Sequence, residues 1–402
     1  MTAKVFRSRW IFPIRQPPIQ NGWVLADGHR ILDVGAGKPP EGDFPVDDLG
    51  DSAILPGLVN AHTHLEFSSL ARPLGHPGIT LPQWIGLVLA ERRQTRRDPG
   101  KTIAAGLRES EAAGVRLVGE IATTPWAGFR HQHRSEVIAF AEVLGLSDQR
   151  ADETVAAAAA HLAKAAVSLH VSGGVSPHAP YSTSLAAVER AVRLANQQGV
   201  VVAMHLAESE AERALIERGD GPFAEVLQQM GLLPPGMFPL SPDGTLQFLK
   251  LLARAPAGLV VHGNDLREPE IDWLAQQPHL SVVYCPRTHA FFGYPPHPVR
   301  QLLQRGIRVA LGTDSRASNP DLSLWNEVLW LFEHRRDLDR QAVLAMATLQ
   351  GADALQRPDL GRLAPGANSG LIQLDGRADE LEGLVARWLG GAPPRFLTTP
   401  GA

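Results

Sequence analysis

The stretch that decides the fold is Leu55-Pro-Gly-Leu-Val-Asn-Ala-His-Thr-His64, in which a short apolar run ends in two histidines. The same arrangement recurs at three later points, where residues 200–204 precede His205, residues 258–261 precede His262, and residues 308–313 precede Asp314. Short, β-branched apolar runs are typical of buried strands in a parallel barrel, and barrel enzymes carry their functional groups at the carboxyl ends of those strands. The pattern predicts a parallel barrel with a group of polar side chains at one end.

From Leu55 to about Arg357, strand-like apolar runs alternate with amphipathic helical patterns. We count eight strand candidates: one entering His62, residues 115–121, 136–144 and 168–175, two ending at His205 and His262, residues 280–284, and one ending at Asp314. Helical patterns lie between them, among them residues 103–113, 185–198 and 244–254. Eight βα units predict an α/β protein with a closed (β/α)8 TIM barrel. The apolar runs also permit an open doubly wound sheet, but no GxGxxG follows the first strand.

The two ends of the chain differ from the middle. Residues 23–26 and 30–34 read as short strands separated by Asp27-Gly28 and followed by a glycine-containing turn. We expect three parts: residues 1–55 as the N-terminal part of a small β-sandwich, residues 56–358 as the barrel, and residues 359–402 as the C-terminal return to the β-sandwich.

Composition limits the classes of partner. With 402 residues, 44% of them hydrophobic, the chain is long enough for a barrel and one small accessory domain. A net charge of -4 argues against nucleic acid, which needs a basic face. Cys285 is the only cysteine, and we find neither a signal-peptide pattern nor a membrane span. We expect a cytoplasmic protein with a small-molecule substrate and no membrane partner; a homodimer remains open.

The strand-end side chains form a metal-ligand pattern. His62 and His64 are two residues apart on a strand, so both side chains leave the same face and can reach one ion. Two histidines alone could equally be a polar patch at the end of the barrel. Together with His205 and Asp314 they make three imidazoles and one carboxylate, which suit a catalytic Zn²⁺, although Fe²⁺ would fit as well.

Several motifs resemble the amidohydrolase superfamily, and specifically its mononuclear deaminase branch. The run from Leu55 to His64 resembles the first-strand motif, Met204-His-Leu-Ala-Glu208 the fifth, and Gly312-Thr-Asp-Ser315 the eighth. The segment Gly174-Val-Ser-Pro-His-Ala-Pro-Tyr-Ser182 is similar to the fourth-strand motif of adenosine and S-adenosylhomocysteine deaminases. His-Thr-His-Leu-Glu-Phe-Ser, beginning at His62, looks closest to the aminodeoxyfutalosine deaminases. The resemblance extends over nearly the whole chain.

This resemblance implies roles for the strand-end residues. Asp314 would be both a metal ligand and a proton acceptor, and His262 would hold the attacking water beside it. Glu208, three residues after His205, would protonate a ring nitrogen of the substrate. A second metal in this superfamily needs a bridging lysine or glutamate. Glu142 is the candidate, but we interpret it as a wall position or a hydrogen-bond acceptor, and we expect one metal.

The wall of the substrate pocket is less well determined by the sequence. In the resembling deaminases the equivalent of His178 contacts the substrate, although a structural loop histidine remains an alternative. Arg287 and His289 would suit a substrate carboxylate or phosphate, while pairing of the arginine with a loop acid is equally compatible. The remaining substrate-binding candidates are Glu66, Trp84 and Ser315. The other histidines match no motif and are interpreted as surface or structural: His29, His76, His131, His133, His161, His170, His279, His297 and His334.

The predicted function is metal-dependent hydrolytic deamination of an amino-substituted heteroaromatic ring. The expected substrate is an adenine-type nucleoside, with an aminodeoxyfutalosine-like carboxylated tail as one version. The alternative is an amidohydrolase or chlorohydrolase that acts on a cyclic amide or a triazine-like ring. A third class, a barrel that only binds a ligand, is disfavoured because every motif keeps its ligand-type residues.

Overall fold

The computed structural model describes residues 3–94, 97–130, 133–233, 235–368 and 370–397. These residues form two β-sheets, one of eight parallel strands and one of seven strands with mixed directions. The strands in chain order are β1 (Lys4–Ile11), β2 (Ile19–Ala26), β3 (Ile31–Ala36), β4 (Val46–Asp48), β5 (Ser52–Pro56), β6 (Leu58–Thr63), β7 (Val115–Ala122), β8 (Glu136–Val143), β9 (Val171–Pro177), β10 (Val202–Leu206), β11 (Gly258–His262), β12 (Leu280–Tyr284), β13 (Arg308–Leu311), β14 (Leu371–Asp375) and β15 (Arg395–Phe396).

Most of the helices of the described residues follow barrel strands. They are α1 (Leu81–Gln94), α2 (Pro99–Ala112), α3 (Asp148–Ala165), α4 (Leu185–Gln198), α5 (Glu210–Arg218), α6 (Gly221–Gln229), α7 (Gly244–Leu252), α8 (Glu268–Leu274), α9 (Pro286–Phe292), α10 (Val299–Gln304), α11 (Leu324–His334), α12 (Arg340–Met346), α13 (Leu349–Ala354) and α14 (Leu381–Leu389). Within the described ranges, no helix is both long and apolar enough to cross a bilayer.

The eight-stranded sheet has the strand order β13-β12-β11-β10-β9-β8-β7-β6, as expected for sequential βα units. One face packs against the surrounding helices. Alternate residues such as Leu259 and Val261 form a separate apolar cluster on the opposite, inner face. The barrel closes where β13 meets β6, because the backbone N–H groups of Thr313 and Asp314 both donate to His62 O at 3.1 Å. The predicted TIM barrel is confirmed.

The seven-stranded sheet joins the two ends of the chain. Its strands run in the order β15-β14-β5-β1-β2-β3, with β4 paired to β1. Strand β5 pairs in parallel with β1 and antiparallel with β14, whose Leu371 lies opposite Pro56. A separate sheet built from both chain ends, expected from the sequence, is therefore present.

Some element boundaries differ from the sequence-based prediction. The fourth barrel strand begins at Val171, not at residue 168, because Val167 and Leu169 are 86% and 82% exposed in the turn that leaves α3. Helix α2 begins at Pro99, four residues early, since the Asp98 side chain accepts from the N–H groups of Gly100 and Lys101.

The eighth barrel strand ends at Leu311, three residues before Asp314. The chain there passes very close to β6, and a Cβ added at Gly312 would lie 2.9 Å from both Cβ and O of His62. Glycine lets the two backbones approach, and Asp314 then forms a parallel bridge with Thr63. This close approach brings the carboxylate beside the two histidines of β6.

Candidate active site

The strand-end residues meet at the carboxyl end of the barrel. Each of these residues lies at or just after the end of a strand. They are His62 and His64 at β6, His205 near the end of β10, His262 at the end of β11, and Asp314 after β13. All five are buried. Parallel strands bring their carboxyl ends to the same edge, so residues that are far apart in sequence become neighbours.

Ligand-type atoms of three histidines lie within 4.8 Å of one another: His62, His64 and His205. His64 Nε2 and His205 Nε2 are 3.2 Å apart. Asp314 Oδ1 lies 3.5 Å from His62 Nε2 and 3.6 Å from His64 Nε2. Four ligands of a tetrahedral zinc, each about 2.0–2.1 Å from the ion, lie about 3.4 Å from one another. The spacing of the four side chains therefore fits one ion.

Hydrogen bonding in this cluster also fits a metal. Both ring nitrogens of His62 and the Nδ1 atom of His64 are buried without a hydrogen-bond partner. Such atoms normally cost free energy, and a bound cation would supply the missing partner. Burial lowers the pKa of His62 to about 3, so the imidazole is neutral, as metal binding requires.

His205 is oriented by a backbone carbonyl. Its Nδ1 atom lies 2.9 Å from His178 O, and since a carbonyl only accepts, Nδ1 carries the proton. The Nε2 lone pair then faces His64 and Asp314. Metal-binding histidines usually donate their second ring nitrogen in this way, which fixes the tautomer and the ring orientation.

Glu208 lies beside the ligand cluster. Its carboxylate Oε1 is 3.7 Å from His262 Nε2. Burial, with smaller contributions from Asp314 and Glu212, raises the pKa of the Glu208 carboxyl well above its usual range. The preceding loop is held by Glu212, whose Oε1 accepts from the Ala207 N–H at 2.7 Å. Glu208 is thus a buried carboxyl that favours its protonated form.

The backbone at the site is strained. Ala207, His262 and Asp314 have φ angles of 53°, 72° and 55°, in the left-handed region that β-carbon-bearing residues rarely adopt. Such conformations cost about 1–3 kcal/mol each and tend to cluster at functional sites. Here they occur where the chain leaves β10, β11 and β13 and turns side chains toward one space.

That space is a cavity of about 840 Å³. Nine of the residues singled out from the sequence line it: His64, Trp84, Glu142, His178, His205, Glu208, His262, Asp314 and Ser315. Trp84 is buried and donates from Nε1 to Ala317 O at 2.9 Å, which fixes its indole at the cavity wall. His178 Nδ1 lies 2.6 Å from Ser182 Oγ, so its ring is also held in place.

Arg287 does not line the cavity, and its donors already have partners. The guanidinium forms ion pairs with Asp321 at 2.9 Å and Glu327 at 3.1 Å, and it contacts Asn319 Oδ1. The loop-acid alternative describes this side chain in the structure, and the use of Arg287 to bind a substrate anion stays an untested prediction that these ion pairs disfavour. The arginine neutralises the buried Glu327 and so supports the loop that carries Asp314.

His289 lies outside the cavity as well. Its Nε2 atom donates to Pro295 O at 2.9 Å, and burial lowers its pKa to about 4. A neutral, internally bonded imidazole is a poor group for an anionic substrate. The prediction that His289 binds such a group is disfavoured by this geometry and stays untested.

Glu66 and Glu142 lie on the side of α1. The Glu66 carboxylate pairs with Arg92 and accepts from Thr123 Oγ1 at 3.2 Å, and Glu66 is not among the residues that line the cavity. Glu142 does line it, 3.9 Å from His178 Nε2, and burial raises its pKa. Among the described residues, the metal-type cluster does not include Glu142.

His297 contacts the site, which its interpretation as a surface or structural residue does not anticipate. It is buried, stacks on Tyr284 with ring centroids 3.9 Å apart, and donates from Nε2 to His262 O at 2.9 Å. No motif identified it, because its partner is a backbone carbonyl 35 residues away. His131, included in the same interpretation, lies outside the described residues.

Comparison with known proteins gives consistent matches. The model of the amidohydrolase family matches residues 53–396. A 5-methylthioadenosine/S-adenosylhomocysteine deaminase of Nitratidesulfovibrio vulgaris is 29% identical, over 90% of this chain and 81% of that protein.

Solved structures agree with this match. A zinc-bound adenosine deaminase of Xanthomonas campestris superposes with a TM-score of 0.76 at 25% identity, covering 98% of this chain and 90% of that one. The Helicobacter pylori aminofutalosine deaminase, solved with methylthio-coformycin, has a TM-score of 0.84 at 19% identity, which shows the shared fold, over 97% of each chain. The family model spans most of the sequence, and the chain belongs to the amidohydrolase family.

Proposed function

We propose that the chain is a metal-dependent hydrolase of carbon–nitrogen bonds that deaminates an adenine-type nucleoside and releases ammonia. One observation carries the proposal: a buried carboxyl, Glu208, lines the same cavity as His64, His205 and Asp314. A protonated carboxyl beside a metal site suits protonation of a ring nitrogen next to the carbon that loses its amine. The name of the N. vulgaris relative supports a deaminase over an enzyme acting on cyclic amides or triazines.

We propose that His62, His64, His205 and Asp314 bind one divalent ion, Zn²⁺, although Fe²⁺ also suits these ligands. When bound, such an ion lowers the pKa of water so that it is nucleophilic near neutral pH. The zinc in the X. campestris neighbour supports this identity. We retain residues 1–55, 56–358 and 359–402 as the proposed domains. A cytoplasmic location is proposed on the single, buried Cys285, and a homodimer stays an untested prediction.

The chain's own residues divide the proton transfers. Asp314, whose Oδ2 accepts from Ser318 Oγ at 2.6 Å, takes the proton of the attacking water. His262, with its strained backbone, orients that water against the ring carbon. Glu208 gives its proton to the adjacent ring nitrogen, which makes the carbon electrophilic. The C–N bond to the exocyclic amine then breaks, and ammonia leaves with the proton that Asp314 returns. The remaining hydroxyl proton passes back to Glu208 as the carbonyl group forms, which restores the acid.

Ammonia release from a substrate panel tests the proposal. The panel contains adenosine, 5′-deoxyadenosine and 5′-methylthioadenosine, with a cyclic amide and a chlorotriazine as representatives of the alternative. We expect turnover of the adenine nucleosides and conversion to the corresponding inosine compounds. Turnover of only the cyclic amide or the triazine would overturn the deaminase proposal. Elemental analysis of the same preparation counts the metal, and two ions per chain would contradict the single-ion site.

A further inference from the structure

The outer part of the cavity is formed by helices, not by strand ends. Helix α1 lies between β6 and β7 in the sequence, and α6 lies between β10 and β11. The two helices contact each other above the barrel end. The outer wall, which we define by α1, α6 and the segment after α6, presents mainly apolar side chains to the cavity: Trp84, Val88, Leu227, Met230, Leu232 and Leu233.

Aromatic packing already holds the outer wall in place without a ligand. Tyr181 stacks on Phe223 of α6 with ring centroids 4.3 Å apart and an interplanar angle of 6°. Trp84 packs edge-on against Phe292 at 5.4 Å. These rings belong to an apolar cluster that is separate from the two clusters of the barrel. A ligand meeting this wall therefore needs little reorganisation of the protein.

Two of the wall residues remain open to solvent. Met230 is 44% and Leu232 49% exposed, although both line the cavity. Large apolar side chains that stay exposed along a cavity mark a place where an apolar group binds, because covering them removes apolar surface from water.

The arginines that line the described part of the cavity already face carboxylates. Arg92 is ion-paired with Glu66, and Arg150 is 3.2 Å from Glu153. These two arginines are the cationic side chains, histidines aside, that line the described cavity. Each of them already faces a carboxylate, which weakens its attraction for a substrate anion. With Arg287 also committed elsewhere, the structure argues against a carboxylated tail.

The volume argues for a long tail. At about 840 Å³, the cavity lies near the upper end of the range of about 300–1,000 Å³ found for drug-sized ligands. A purine base at the strand ends would leave the outer wall uncovered. The remaining space is continuous with the reaction centre, so its natural occupant is another part of the same substrate.

We propose that the substrate carries a neutral, apolar substituent longer than a methylthio group, which binds against Met230, Leu232 and the neighbouring wall. The chemical class is a 5′-alkylthio- or 5′-arylthio-5′-deoxyadenosine. This inference rests on the proposed deaminase function and specifies the substrate of the same site. Tails with a carboxylate or an ammonium group are disfavoured, because the apolar side chains of the wall offer them no hydrogen-bond partner.

A graded series of substrates tests the proposal. Ammonia release is measured for adenosine and for 5′-thio-5′-deoxyadenosines bearing methyl, butyl, benzyl and carboxypropyl groups. Each methylene that leaves water contributes about 0.8 kcal/mol, so kcat/KM should rise about fourfold per added methylene until the wall is covered. The carboxypropyl compound has three methylenes like the butyl compound but ends in an anion, and it should fall below the methyl compound.

Wall variants give a second measurement. In Met230→Ser/Leu232→Ser, the ratio of kcat/KM for the butyl compound to that for adenosine should fall about tenfold or more. The matched control is Val167→Ser, an exposed apolar residue away from the cavity, in which that ratio should not change. The ratio is measured on folded enzyme, with the thermal unfolding midpoint as the check.

The outcomes separate the two proposals. A flat series, or a preference for the carboxypropyl compound, would overturn the apolar-tail inference while adenosine turnover leaves the deaminase function in place. An unchanged ratio in the double variant would also overturn it. If none of the adenine nucleosides releases ammonia, the proposed function itself fails, together with the inference that depends on it.

Discussion

The two ends of the cavity are built differently. The inner end consists of side chains that follow β6, β10, β11 and β13, and it is polar, buried and held by strand-to-strand contacts. The outer end consists of helix faces from α1 and α6, and it is apolar and partly open. The barrel thus positions the proposed reacting groups, whereas α1 and α6 form the wall that we propose selects the substrate. Substitutions at the inner end should therefore reduce metal content or turnover, whereas substitutions at the outer end should change the relative kcat/KM of different substrates.

The largest effect is expected from removing a metal ligand at the inner end. His205→Ala should lose bound metal and activity together, with a fall in kcat/KM on the order of 10⁴-fold or more. Elemental analysis and ammonia release on one preparation measure both. Full metal content in this variant would remove His205 from the ligand set, and His289→Ala, a buried histidine outside the cavity, is the control.

The next largest effect is expected at Glu208, where a substitution distinguishes a proton donor from a metal ligand. Glu208→Gln keeps the shape of the side chain but removes the proton that it donates, so kcat should fall by about 10²–10⁴-fold. Metal content should stay at the wild-type level, since Glu208 is not one of the four proposed ligands. A variant with near wild-type kcat on a true substrate would show that the acid lies elsewhere.

Arg287 belongs to neither end of the cavity, and its loss should affect stability. Arg287→Ala leaves Glu327 buried without its cation, which should cost about 3 kcal/mol of unfolding free energy. Burial already raises the pKa of Glu327 to about 7, above the value of an unfolded glutamate. The folded state therefore retains a proton that the unfolded state releases, so stability falls as pH rises from about 4.5 to 7.

Without Arg287 the pKa of Glu327 rises further, and the loss of stability extends to higher pH. Denaturant unfolding at pH 6 and pH 8.5 measures this, and Arg287→Ala/Glu327→Gln should recover most of the loss. The relative kcat/KM of anionic and neutral substrates should not change. A selective loss for the anionic substrate would return Arg287 to the substrate pocket.

The smallest effect is expected at His297, which contacts the backbone of His262 at the inner end of the cavity. His297→Phe keeps the stacking on Tyr284 but removes the hydrogen bond to His262 O, which should lower kcat about tenfold with little change in KM. His297→Gln, which can still donate, should restore part of the activity. His289→Phe is the matched control, since His289 packs against the same tyrosine but bonds Pro295 O. Equal losses in both variants would mean that only loop packing matters.

The inner end could be predicted because its signal is local. Each of His62, His205 and His262 directly ends an apolar run, and the barrel alone decides that such ends converge. The approach of Asp314 to β6 depends on Gly312, which lies in the same short motif. Local sequence patterns were therefore enough to predict both the barrel and the grouping of these side chains at one end of it.

The outer end could not be predicted, because its contacts join segments far apart in the chain. Arg287 resembled an anion-binding group, but Asp321 and Glu327, which neutralise it, lie in the next loop and in α11. The apolar face of α6 carries no motif, and its side chains look like any helix core residues until the helix is placed over the barrel end. Charge pairing and helix placement are tertiary properties, so the residues of the pocket wall could not be identified from the sequence alone.

The pairing of β5 with β14 has a consequence for how the protein is made. All barrel strands are synthesised between these two partners, so Ser52–Pro56 emerges long before Leu371–Asp375 exists. Until then one edge of β5 exposes unpaired backbone groups beside the apolar residues Ala53, Ile54 and Leu55. An open, apolar strand edge invites pairing with another chain. We therefore expect the nascent protein to be most prone to aggregate during translation of the barrel, until β14 is made and pairs with β5.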